Sequence, residues 1–122
     1  MSTIKVDNIR IASESVSRPV TGVAAAWANW GSDGPTSVRE SLNLASITDV
    51  STGTYTLNYT NAFSNNGFSN SGICGVSTNT GAYYIMSISG APTASSVSVR
   101  TMTSSSQPGL AYNGLNSHGE LA

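Results

Sequence analysis

The sequence predicts an all-β protein: a single β-sandwich or flattened barrel of about eight short antiparallel strands, behind an extended N-terminal arm. Three observations carry the prediction. Ser, Thr, Asn and Gly supply 58 of the 122 residues, and all four are weak helix formers. Where apolar residues cluster they are β-branched or aromatic and alternate with polar ones, the period of a half-buried strand. Turn residues then break the chain at intervals of about 10–15 residues. The length suits one domain, read as residues 23–122, with residues 1–22 as the arm.

In the arm, Ile4 and Val6 alternate, and Ile9 and Ile11 alternate in shifted phase. Lys5, Asp7, Arg10, Glu14 and Arg18 are five of the eleven charges in the chain, and Pro19 and Gly22 close the segment. This is the pattern of a strand that pairs with something outside its own domain. The isoleucines would fill alternate pockets, and Lys5, Arg10 and Arg18 would set the register against acidic groups. Val23 to Trp30 reads as an extended segment with Trp27 turned inward, and Gly31–Pro35 as a turn. Val38, Leu42 and Leu44 place the next strand, and Ser51-Thr52-Gly53 is a hairpin turn. Thr54 to Thr60 is the clearest strand, with Tyr55, Leu57 and Tyr59 on one face and Thr56, Asn58 and Thr60 on the other. Further strands are read over 68–76, over 82–89, around Val97, Val99 and Thr101, and from Leu110 onward. Arg39 and Glu40 are adjacent, so a regular strand would send them to opposite faces, one of them to an edge or subunit interface.

Charge and composition exclude several functions. Charged residues are 9% of the chain, against roughly 25% in an average globular protein. A net charge of −1 with five Lys and Arg offers no phosphate-tracking surface, so nucleic acid is not an expected partner. No apolar run approaches the roughly 20 residues of a membrane span. The opening MSTIKVDNIR carries no apolar core of the signal-peptide kind. The single cysteine, Cys74, rules out an intrachain disulfide and reads as an inert strand thiol. The single histidine, His118, has no nucleophile motif to serve, and the six carboxylates lie in the arm, at turns or apart. No Gly-rich phosphate loop is present. The reading is therefore a protein with no enzymatic activity, cofactor or metal. Its aromatic residues could supply a sugar-stacking surface, although aromatics at alternate strand positions more often fill a core.

Two stretches resemble a known family. In residues 26–68 they are Ala26-Trp27-Asn29-Trp30, Val38-Arg39-Glu40-Ser41-Leu42-Asn43, Ser46-Ile47-Thr48-Asp49, Gly53 and Tyr55-Thr56-Leu57-Asn58-Tyr59; the second stretch is SSVSVRTM, residues 95–102. This run is similar to a small β-domain at the ends of bacteriophage and prophage tail-fibre proteins, and STIKVDNIR resembles the virion-attachment start of such proteins. The resemblance implies a homotrimer on the outer surface of a virion, with Trp30 and Arg39 as candidates for the trimer seam. Such domains usually follow a long shaft, and here none lies between the arm and the domain. An arm of 20 residues reaches roughly 70 Å at most, which suits clamping a neighbour.

Two functional expectations follow. The first is a trimeric head decoration, or cement, protein that ties major capsid protein subunits together through Ile4, Lys5, Val6, Ile9, Arg10, Ile11 and Arg18. The second is a short tail fibre or fibre tip, joined to a tail protein, that binds a host surface receptor or glycan through loops 61–66, 104–108 and 113–118.

Overall fold

The computed structural model describes residues 8–9, 18–19, 23–32, 34–76, 84–103 and 106–122. Eight antiparallel strands form two four-stranded sheets packed face to face, a β-sandwich. The first sheet takes β3 (Ala24–Gly31), β4 (Ser37–Leu42), β7 (Ser69–Gly75) and β10 (Tyr112–His118) in the order β4-β3-β10-β7. The second takes β5 (Leu44–Ser51), β6 (Thr54–Tyr59), β8 (Ile85–Ile88) and β9 (Ser96–Met102) in the order β5-β6-β9-β8. Two short strands, β1 (Asn8–Ile9) and β2 (Arg18–Pro19), pair antiparallel with each other. Of the residues assigned to anchoring, Ile4, Lys5, Val6, Arg10 and Ile11 lie outside the described residues.

The core forms where the inward face of each sheet meets the other. Tyr55, Leu57 and Tyr59 of β6 and Val97, Val99 and Thr101 of β9 are buried, while Thr56, Asn58, Ser98 and Arg100 between them are half-buried. The alternation that predicted these strands thus becomes their two faces. From the first sheet, Ala26, Ala28, Trp30 and Leu115 complete the apolar layer. At one end Trp30 meets Tyr55 edge-on, ring centres 5.8 Å apart. At the other, Phe63 and Phe68 stack at 4.2 Å and both meet Tyr59 edge-on.

The two tryptophans reverse the sequence expectation. Trp30 is 0% exposed inside the sandwich, so it is no part of a subunit seam, and Trp27 lies half-buried on the outer face of the first sheet. Three positions apart on one strand, they must face opposite ways. Trp30 shares its face with Ala26 and Ala28, whereas Trp27 shares its face with Asn29. Burying Trp27 would bury that amide too.

The strand read through Val38, Leu42 and Leu44 is broken. Asn43, at φ 55°, ends β4 in one sheet and starts β5 in the other. Asn is one of the few residues that enters this region readily. Its side chain also ties down the next loop: Asn61 N–H donates to Asn43 Oδ1 at 2.7 Å, and Asn43 Nδ2 donates to the Asn61 carbonyl at 3.1 Å. The hairpin turn at Gly53 forms as read, with φ 72°.

β4 contains a second irregularity. Asn29 pairs with Glu40 and Trp30 with Val38, so Arg39 is the extra residue of a β-bulge. A bulge breaks the two-residue alternation, and the opposite-faces argument for Arg39 and Glu40 fails with it. Both are exposed.

Candidate functional site

Among the described residues no three His, Cys, Asp or Glu side chains gather into a metal-holding group. His118 ends β10 and is half-buried; Cys74 lies on β7, and burial pushes its thiol pKa up, away from the thiolate. The densest buried polar cluster is structural. Ser32 Oγ accepts from the Tyr55 hydroxyl at 2.6 Å, from Leu110 N–H at 3.1 Å and from Asn113 Nδ2 at 3.2 Å, and donates to the Leu110 carbonyl. These bonds lock the segment before β10 onto the end of β3; within the cluster the Asn113 Oδ1 is buried without a partner among the described residues.

The loops expected to form one tip do not come together. Residues 61–66 follow the end of β6, where Tyr59 N–H bonds the Ser95 carbonyl. Gln107 lies by Gly53 and Thr54 at the start of β6, the opposite end of the sandwich. Residues 113–118 are no loop but β10, a central strand. Arg39, exposed on β4, is held within its own chain by neutral groups. Its Nη2 donates to the Ala111 carbonyl at 2.6 Å, its Nη1 to Asn29 Oδ1 at 3.3 Å, and its guanidinium sits 4.8 Å from the centre of the Tyr112 ring.

Two surface features remain. The first is the side of the sandwich where β7 and β8, the last strands of their sheets, run near each other. Neither carries a charged residue or a proline. Ile73 is 79% exposed and Ile85 60%. Such an edge is a template for pairing with another chain.

The second is a groove of about 360 Å³ on the outer face of the first sheet. Register builds it. Trp27, Asn116 and Ser71 stand side by side on β3, β10 and β7, and Asn29, Gly114 and Ile73 form the next row. Gly114 contributes no side chain, so the row dips at its centre. The side chains of Asn116 and Ser71 make no hydrogen bond with a described residue, and the side-chain amide nitrogen of Asn29 makes none either.

The outer face of the second sheet differs. There Asn58 Nδ2 donates to Ser46 and Thr48, and Thr56 bonds Ser98 at 2.8 Å. These side chains are engaged with one another.

Sequence reading missed the groove because β3 and β10 are far apart in the chain, and only their pairing brings Trp27 beside Asn116. The alternation of Tyr112, Gly114 and Asn116 was the available signal: a polar, small-residue face opposite the buried Asn113, Leu115 and Ser117. The anchoring residues Ile9 and Arg18 fall in β1 and β2, away from both features in the strand pairing. Compared with protein-family models, curated proteins and solved structures, the chain finds no match in any of the three.

Proposed function

We propose that the protein is a non-enzymatic structural protein of the outer surface of a bacteriophage virion, a homotrimeric head decoration protein that clamps capsid subunits through residues 1–22. The observation that supports this reading is the β7–β8 side, where neither strand carries a charged residue or a proline. A free-standing domain blunts its edges with charge or proline, whereas one whose edges are covered by assembly can leave Ile73 and Ile85 in the open. The low charge of the domain lets such faces approach without desolvating ions.

Analytical ultracentrifugation tests the assembly. A mass near three times 12.5 kDa is expected, and Ile85→Lys should shift it toward the monomer. A concentration-independent monomer overturns the trimer. Placement on the head is tested by copies per virion on a quantitative gel: hundreds agree with decoration. A few to tens would favour the second reading, a short tail fibre or fibre tip with a host receptor or glycan as partner. The groove on the first sheet, where the Asn116 side chain and the Asn29 amide nitrogen bond no described residue, supports that second reading.

A further inference from the structure

We infer that the groove over Gly114 is a binding site for a neutral saccharide, with Trp27 as the stacking face and Asn29, Asn116 and Ser71 as the hydroxyl-reading groups. The inference concerns the isolated chain, and of the groove residues only those on β7, Ile73 among them, belong to the side that the proposed assembly would cover.

The chemistry of the lining selects the ligand. A pyranose presents C–H groups on its faces and hydroxyls around its rim, so it needs an aromatic surface beside groups that both donate and accept. Trp27 supplies the first and is half-buried, held in place with part of its ring open to the groove. Asn116 and Ser71, in the same cross-strand row, supply the second, and neither is engaged elsewhere among the described residues. Asn29 Oδ1 is fixed by Arg39, which orients its free amide nitrogen. Because successive strands lie roughly 4.8 Å apart, the step from Trp27 to Asn116 is about the width of a pyranose ring, and the full row to Ser71 leaves room for its rim hydroxyls. The volume of about 360 Å³ lies in the range of small-ligand sites, roughly 300–1,000 Å³.

No ionisable side chain lines the groove, and the cation beside it, Arg39, is already engaged with Asn29, the Ala111 carbonyl and the Tyr112 ring. The smaller hollow between Phe63 and Glu120, about 130 Å³, lacks such free groups: its Asn65 already caps the Gly67 N–H at 2.7 Å.

The full chain, titrated with neutral mono- and disaccharides of glucose, galactose, mannose and N-acetylglucosamine, should show saturable shifts of the Trp27 indole and Asn116 amide NMR signals in the millimolar range. N-acetylneuraminic acid is the anionic comparison. Binding should be insensitive to salt, lost in Trp27→Ala and weakened about tenfold in Asn116→Ala, the loss of one hydrogen-bonding partner. Gly114→Leu is the decisive variant. A Cβ there would lie 3.9 Å from Ile73 Cγ1 and 4.0 Å from the Ala28 carbonyl, ordinary contact, so the backbone has room for a Cβ and the rest of the side chain is expected to fill the groove. Should it fail to fold, Asn116→Ala, which removes an exposed side chain bonded to no described residue, decides alone. The inference is overturned if no neutral saccharide moves the Trp27 signal, if Gly114→Leu or Asn116→Ala binds like the parent chain, or if only the anionic sugar binds. None of these outcomes alters copy number or assembly mass, so the virion reading stands or falls separately.

Discussion

Trp27 and Trp30 differ in what surrounds them, and their substitutions should differ accordingly. Trp30 fills the sandwich beside Tyr55, so Trp30→Ala leaves a cavity and should cost about 3–5 kcal/mol. Trp27→Ala removes a half-buried ring from an outer face and should cost about 1 kcal/mol or less. Urea denaturation of the two variants checks the order; equal losses would place both rings in the core. Tyr59 provides a pH signature. Burial raises its pKa above the ordinary value near 10, and the hydrogen bond with Ser117 offsets part of the rise. The phenol therefore ionises more readily in the unfolded chain. Stability from this source is fully present below about pH 10 and declines as pH climbs from there toward the folded value. Cys74, raised in the same sense by burial, begins its loss nearer pH 9. Denaturation midpoints measured between pH 7 and about 11 should fall at the alkaline end, and Tyr59→Phe should flatten that fall.

At the scale of elements, the step from β4 to β5 rests on one residue. Asn43 combines a left-handed backbone with side-chain bonds to Asn61. Asn43→Gly keeps the backbone and loses the bonds, at about 0.5–1.5 kcal/mol. Asn43→Val loses the bonds and adds the strain of a β-branched residue at positive φ, about 1–2 kcal/mol more. Thermal melts should rank the parent chain above Asn43→Gly and Asn43→Gly above Asn43→Val. If Val is tolerated as well as Gly, the corner does not depend on its left-handed turn. β6 and β9 were legible in the sequence because each alternates cleanly between a buried and a polar face. The β4–β5 break was not: Leu42, Asn43 and Leu44 continue the alternation of a single strand, and only the need to pass from one sheet to the other selects the turn. The bulge at Arg39 was equally hidden, since the surplus residue exists only relative to the partner strand β3.

For the whole molecule, β1 and β2 pair with each other and enter neither sheet. Deleting residues 2–22 should therefore leave the melting midpoint of the sandwich within about 4 °C of the full chain, the shift of roughly 1 kcal/mol or less in a domain of this size. On the proposed reading the same deletion abolishes co-sedimentation with virus particles. Unfolding of the truncated chain would make the segment part of the domain, and full particle binding by a folded truncation would move the anchor into the sandwich.

The sequence by itself determined the all-β class, most strand positions, the Gly53 turn and the inward face of β6 and β9, because these follow from local propensity and two-residue alternation. The tertiary structure decided which tryptophan is core, since β3 has an apolar face on either parity and the amide of Asn29 weighs against burying one of them. It decided the corner at Asn43, the bulge at Arg39 and the groove over Gly114 as well. Each depends on which distant strand lies alongside, and pairing between β3 and β10 is set by the closure of the whole sandwich.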